Sequence, residues 1–216
     1  MGWVAFGKLS SGVYYGDLAV GRVGERPVII EEQESALVTR ATQRDHAAFT
    51  QLYQIYFDRI YRYIRLKLGN AIDAEDLTSA VFCNAWRTIH SFSPQRESSF
   101  AAWLFRLAHN AVVDRFRSMR DVISLDASGE RLAIRAIHPG PEAQIERKLT
   151  IYELTTALDL LTEEQREVVL LRFVEGLSAR EVGDIMGKQE GAVRGMQFRA
   201  IESLRRVMTQ RRDVAD

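Results

Sequence analysis

The stretch Leu177-Ser-Ala-Arg-Glu-Val-Gly-Asp-Ile-Met-Gly-Lys-Gln-Glu-Gly-Ala-Val-Arg-Gly-Met-Gln-Phe-Arg-Ala-Ile-Glu-Ser-Leu204 decides how this chain reads. Ser178 with Glu181 three positions on is a capping box, and Leu177 before the cap pairs with Val182 after it as a hydrophobic staple, so a helix starts here. Gly187 ends it, because glycine takes the left-handed backbone that closes helices. A turn around Gly187-Lys188-Gln189 leads into a longer helix, expected from about Glu190 to Met208. Val182, Ile185 and Met186 can pack on Val193, Met196, Ala200 and Leu204. A short helix, a tight turn and a longer second helix describe a helix-turn-helix. The packing leaves Lys188, Gln189, Glu190, Arg194, Gln197, Phe198 and Arg199 on or near the start of the second helix, the end that enters the major groove in this motif. Arginine and glutamine can each bond two edge atoms of one base, so these positions can read sequence.

Charge is polarised around this motif. From Glu153 to Asp184 there are eight acids and three bases, whereas Lys188 to Arg212 holds seven bases and two acids. A local positive patch of this kind gives phosphate affinity although the whole 216-residue chain has a formal net charge of zero.

Upstream, Thr162 with Gln165 forms another capping box, and Gly176 is expected to close that helix. Ile151, Leu154, Leu158 and Leu161 make an apolar stripe ahead of it. Before that, 121–146 breaks the helical pattern with Gly129, Pro139, Gly140 and Pro141 and carries more acids than bases, which is the composition of a linker. Ahead of the linker lies a second helical block. Asp45 can cap a helix ending at Gly69-Asn70, with Phe49, Leu52, Tyr56, Ile60, Ile64 and Leu68 at a spacing of three or four. Asp73 can cap a further helix to about His90, Glu75 and Asp76 suiting its positive end. A polar loop, Ser91 to Ser99, precedes a helix from about Phe100 to Met119 with Trp103, Leu104, Leu107, Ala111 and Val112 inward. The glycine-punctuated segment 1–33 reads as a flexible arm. The fold class is therefore all-α: two small helical domains joined by an extended linker, with the arm at 1–33, the first domain at 34–120, the linker at 121–146 and the second domain at 147–212.

The last helix of the first block has a polar stripe, Arg106, Asn110, Val113, Arg117 and Arg120, and the loop before it offers Phe92, Ser93, Gln95, Arg96 and Ser99. Arginines to hold phosphates beside aromatic and small polar groups are what single-stranded DNA requires. Phe100 and Trp103 are expected in the core.

Several function classes fall away. A single cysteine, Cys83, rules out an internal disulfide and any metal site built on cysteines. His46, His90, His109 and His138 show no metal-ligand spacing, and neither a glycine-rich phosphate loop nor a Gly-x-Ser-x-Gly nucleophile motif is present. No catalytic residue, cofactor or metal is expected. No apolar run approaches membrane-spanning length and the first residues do not form a secretory signal, so a cytoplasmic protein without stable membrane insertion is expected. A stand-alone helix-turn-helix regulator is the rival reading, but it needs a dimer surface that no heptad zipper supplies, and it leaves the first block unused.

The run Asp73-Ala-Glu-Asp-Leu-Thr-Ser-Ala-Val-Phe-Cys-Asn-Ala-Trp86 resembles region 2 of the sigma-70 family of RNA polymerase sigma factors. Ser99-Phe-Ala-Ala-Trp-Leu-Phe-Arg-Leu-Ala-His-Asn-Ala-Val-Val-Asp-Arg-Phe-Arg117 resembles the part of region 2 that melts and reads the −10 element. Leu161-Thr-Glu-Glu-Gln-Arg-Glu-Val-Val-Leu-Leu-Arg-Phe-Val-Glu-Gly-Leu-Ser178 and Gly191-Ala-Val-Arg-Gly-Met-Gln-Phe-Arg-Ala200 resemble the opening and the −35 reading helix of region 4. A linker in place of region 3 points to the extracytoplasmic-function (ECF) class. The resemblance covers about Glu34 to Arg212. It implies binding to core RNA polymerase (β′ coiled coil and β flap) through Asp73, Asp76, Leu77, Val81, Phe82, Asn84 and Trp86. It implies −10 contacts from Phe92, Ser93, Gln95, Arg96, Ser99, Arg106, Asn110, Arg117 and Arg120, and −35 contacts from Lys188, Gln189, Glu190, Arg194, Gln197, Phe198 and Arg199. Promoter DNA, double- and single-stranded, and an anti-sigma factor are the further partners implied, in a bacterial cytoplasm. The arm, His109 and Gly195 depart from the family pattern.

Overall fold

The computed structural model describes residues 31–94, 99–125, Leu158 and 160–215; within these, the side chains of 31, 120–125 and 207–215 lie outside the description. The described chain is helical and contains no strand. α1 (Glu31–Thr42) starts ahead of the Glu34 boundary expected from sequence. Tyr56 Oη ties it to α2 by donating to Glu34 Oε1 at 2.8 Å.

α2 (His46–Leu68) begins and ends where its caps dictate. Asp45 accepts from the backbone N–H groups of Ala47 and Ala48, and Gly69 takes the left-handed conformation with φ 73°. The backbone N–H of Ala48, then the guanidinium of Arg40, hold the Asp45 carboxyl below its ordinary value. The turn into α2 places Arg44 at φ 68°, a conformation costly for a residue with a Cβ. Its guanidinium is used in return: it donates to the backbone carbonyls of Trp86 and Arg87 at 2.7 and 3.2 Å and lies over the Trp86 ring.

α3 (Ala71–Thr88) is capped by Asn70, not by Asp73. Asn70 accepts from the Ile72 N–H at 3.0 Å and donates to Asp73 Oδ2 at 3.0 Å, so Asp73 sits inside the first turn as a partner of the cap. Both residue types can cap, and sequence alone did not separate them. A 3₁₀ turn, Ile89–Ser91, follows. α4 (Phe100–Leu125) overruns the expected stop at Met119 and the start of the linker at 121. The linker beyond Leu125, and the Ile151 and Leu154 part of the next stripe, lie outside the described residues.

The second group opens with α5 (Glu163–Val169), whose Thr162–Gln165 capping box is formed on both sides. It continues as one π-helical turn, Leu170–Val174, closed by a bond from the Glu175 N–H to the Leu170 carbonyl at 3.0 Å. Gly176, at φ 71°, turns the chain. α6 (Ala179–Met186) carries the second complete capping box, Ser178 with Glu181, and ends at Gly187 in the left-handed conformation. α7 runs from Glu190 to Ala215, beyond the expected Met208.

The helix-turn-helix packs as its stripe requires. Val182, Ile185, Val193, Met196 and Ala200 are buried, with Met186 and Leu204 partly so. Gly183 makes the tight turn possible: a Cβ there would stand 2.6 Å from the Lys188 carbonyl oxygen, whose own N–H bonds the Gly183 carbonyl at 2.9 Å. In the first group Leu52, Tyr56, Ile60, Tyr63 and Ile64 of α2 meet Val81 and Phe82 of α3 and Trp103, Leu104 and Phe105 of α4 in one core. Phe92 packs edge-on against Phe100 and Trp103. The two groups are in contact, chiefly through α4 and α6.

Candidate polymerase and nucleic-acid interfaces

α7 presents its first two turns to solvent. Arg194 has 71% of its side chain exposed and pairs with Glu190 at 2.5 Å one turn earlier, an i, i+4 pair that orients the guanidinium along the helix. Phe198 is 64% exposed, an unusual place for a phenylalanine in water, and Arg199 and Gln189 are exposed beside it. Lys188 is half-buried and pairs with Glu164 at 2.8 Å. Gln197 is also half-buried. Its Oε1 accepts from Arg172 Nε at 3.1 Å, and since arginine only donates, the amide nitrogen is the end left to face outward. The −35 candidates therefore fall on the first turns of α7 and on the Lys188-Gln189 turn that leads into it.

The −10 candidates divide. Asn110 and Arg117 are exposed on α4, with Arg117 near Asp114 at 3.3 Å; Arg106 is half-buried. Ser99 caps α4, accepting the Ala102 N–H at 3.0 Å, and its hydroxyl donates to Glu181 of the second group. Phe92 is only 8% exposed and belongs to the core, where its neighbours are rings, so it supports the loop from beneath and offers no free face for a base. Ser93 is half-buried. Gln95, Arg96 and the Arg120 side chain lie outside the described residues.

The α3 candidates divide likewise. Asp76 is exposed, and Asp73, Leu77, Asn84 and Trp86 are half-buried. Asp73 Oδ1 accepts from Arg115 at 3.0 Å, fixing α3 against α4. Trp86 is held between Phe49, His46 and Arg44. Val81 and Phe82, 2% and 5% exposed, point into the core because they share the inward face with Ala74, Thr78 and Ala85; their contribution to a surface is to shape it from below.

A set of side chains that sequence reading did not single out joins the two groups. Glu167 of α5 is buried and meets three residues of the first group: Lys67 Nζ at 2.7 Å from its Oε2, His109 Nδ1 at 3.0 Å from its Oε1, and the Tyr63 hydroxyl, which donates to the same Oε1. Burial alone would raise the Glu167 carboxyl, but the His109 hydrogen bond and the Lys67 charge outweigh it and hold it at about 2. Burial and then the Glu167 charge push the Tyr63 hydroxyl well above its ordinary value, so it stays a donor. Burial works to lower Lys67, yet Glu167 and Glu163 prevail and raise it. Nearby, Glu175 accepts from Arg59 Nε and Arg62 Nη2, each at 3.1 Å. His109, the departure from the expected pattern, was the available signal: a titratable, half-buried residue beside the buried Ala108 of α4.

Among the described residues no group of three or more histidine, cysteine or acidic side chains could hold a metal ion, and no helix is long and apolar enough to cross a membrane.

Residues 52–121 match the Sigma-70 region 2 family and residues 157–206 match Sigma-70, region 4. The ECF RNA polymerase sigma factor BldN of Streptomyces coelicolor is 40% identical over 172 residues, 80% of this chain and 64% of BldN, so the match spans just under two thirds of that relative. The ECF RNA polymerase sigma factor SigW of Bacillus subtilis is 30% identical over 176 residues, 78% of this chain and 93% of SigW. A solved structure of CnrH in complex with the cytosolic domain of CnrY superposes with a TM-score of 0.62 at 23% identity, covering 82% of this chain and 97% of CnrH, a likeness of fold.

Proposed function

This chain belongs to the sigma-70 family, in its ECF class, and on that footing we propose that it binds core RNA polymerase and directs it to promoters whose −35 element is read by α7 and whose −10 element is opened and held along α4. Sigma factors are initiation factors and not enzymes, so the work is done by binding. The observation that carries the reading is the outer face of α7, where Arg194, Phe198 and Arg199 stand exposed on a helix that a complete capping box and a left-handed Gly187 set at a fixed angle.

In the proposed mechanism, Arg194 and Arg199 meet phosphates and base edges of duplex DNA, and Phe198 offers an apolar contact such as a thymine methyl group. Glu190 guides Arg194. Region 2 then takes the non-template strand. Unstacking a base costs a few kcal/mol, offset by phosphate contacts from Arg106 and Arg117 and hydrogen bonds from Asn110 and Ser99. The exposed side of α3, with Asp76 and the rims of Asp73, Leu77, Asn84 and Trp86, docks on the polymerase β′ coiled coil, and region 4 reaches the β flap. The cytoplasm of a bacterium is the proposed location, and an anti-sigma factor is a proposed partner, by the precedent of the sigma factor RpoE of Bartonella quintana, solved in complex with the anti-sigma factor NepR.

The test is heparin-resistant retention of a promoter fragment by core polymerase. Core with this chain should retain the fragment and core alone should not. Retention by the chain without polymerase would favour the stand-alone regulator.

A further inference from the structure

Opposite charges meet across the seam between the two halves of the chain. The first half contributes Arg59, Arg62 and Lys67 with Tyr63 and His109; the second contributes Glu163, Glu167, Glu175 and Glu181. These glutamates belong to the acid-rich stretch ahead of the basic recognition helix, and DNA has no use for them, since phosphate repels carboxylate. The structure gives them another ligand. The π-helical turn at Leu170–Val174 brings Glu175 round to face both arginines, and Arg59 also donates to the Glu175 backbone carbonyl at 3.0 Å.

The seam is dry at its centre. Side-chain exposure is 1% for Glu175, 3% for Glu167 and 5% for Lys67. Unpaired charges at such burial are costly, so these groups are held there by one another. A seam made of charges also differs from an apolar one in that every group on it is well hydrated once it opens. That is the chemistry of a reversible contact.

The docked half covers one end of a functional face. α6 packs along α4, the helix proposed to hold the −10 strand, and the Ser99 hydroxyl, a −10 candidate, is taken up by Glu181. The outer face of α7 stays open, with Phe198 64% exposed. We infer that the chain closes on itself: the acidic face of region 4 docks into the Arg59, Arg62, Tyr63, Lys67 and His109 socket of region 2, and this contact blocks the Ser99 end of the −10 face, with Asn110 and Arg117 beyond it still exposed, while leaving the −35 helix free. The half of this inference that concerns function rests on α4 being the −10 helix; the docking itself does not.

The full chain tests both halves. Exposed Cys83 on α3 and an Arg180→Cys site on α6 carry a fluorescent pair that reports the distance between the groups. Glu175→Arg should lower energy transfer and tighten binding of a labelled oligothymidylate by about tenfold, the ratio for a closed form that outnumbers the open one about ten to one. Affinity for a −35 duplex should not change. Adding Arg59→Glu and Arg62→Glu to Glu175→Arg should restore closure and the weaker single-strand binding. If Glu175→Arg loses its helical circular dichroism, Arg62→Glu breaks the same pair from the other side. Energy transfer equal to that of the unchanged chain overturns the docking. Lower transfer with unaltered single-strand affinity overturns the blocking of the −10 face at its Ser99 end. Lower transfer with no oligothymidylate binding by any chain removes α4 as the strand-binding helix, and the functional half goes with it.

Discussion

His109 Nδ1 stands 3.0 Å from Glu167 Oε1, joining the helix that carries the −10 candidates to the helix that opens region 4. For that distance to be a hydrogen bond the ring must carry its proton on Nδ1, because a carboxylate only accepts. The contact explains why a histidine occupies a position where a small or charged residue was expected, and its carboxylate partner sets a pH dependence.

With Glu167 held at about 2 against an ordinary 4.5, its contribution to stability is fully present above about pH 4.5 and is lost as pH falls toward 2. The difference in unfolding free energy between the unchanged chain and Glu167→Gln should therefore shrink across that window. Lys67→Met, which leaves Glu167 short of its ammonium, should cost about 3–5 kcal/mol at neutral pH, the range for breaking a buried pair from one side. Urea unfolding at pH 7, 4 and 3 checks both, and a Glu167→Gln difference that stays constant with pH contradicts the first.

Two glycines in the helix-turn-helix should respond oppositely to alanine. Gly183→Ala puts a Cβ 2.6 Å from a backbone carbonyl and should destabilise by about 1–3 kcal/mol. Gly195→Ala meets only the end of the Arg199 side chain, at 3.6 Å, and should stabilise by up to about 1 kcal/mol through helix propensity. Thermal unfolding ranks them. Loss of −35 affinity by the stabilised Gly195→Ala chain would locate the DNA backbone against that glycine.

The α3 face separates support from contact. Phe82→Ala should cost about 3–5 kcal/mol of stability, since the ring is buried against Tyr53 and Phe57. Asp76→Ala should leave the unfolding midpoint within about 0.5 kcal/mol, as an exposed substitution does, yet weaken binding to core polymerase. Sedimentation with core polymerase beside a melting curve checks the pair, and unchanged binding by Asp76→Ala removes that residue from the interface.

On α7, Arg199→Ala should weaken −35 duplex binding by about 1–3 kcal/mol with no change in stability. Anisotropy titrations at several salt concentrations distinguish the roles. A loss uniform over sequences with a smaller salt slope marks a phosphate contact, and a loss confined to one base position marks readout.

Much of this was legible in the sequence because it is local. The caps at Asp45, Thr162 and Ser178 and the stops at Gly69 and Gly187 act over three or four residues, and each falls where expected. The −35 candidates lie together, on the start of α7 and the turn before it, for the same reason. Asn70 displaced Asp73 as a cap because the two residue types compete equally for that role. Val81, Phe82 and Phe92 were assigned to surfaces by their place in motifs, whereas their faces are set by packing between helices. Of the Tyr63, Lys67, His109 and Glu167 cluster only His109 stood out in the sequence; Tyr63 and Glu167 are separated by 104 positions, and no periodicity connects them.

Run-off transcription by purified core polymerase, with this chain and a template carrying its promoter, tests the central claim most directly. The account predicts a transcript of defined start that requires the chain, disappears when either the −35 or the −10 element is scrambled, and falls with Arg199→Ala. A transcript that is independent of the chain, or one unaffected by scrambling either element, would contradict it.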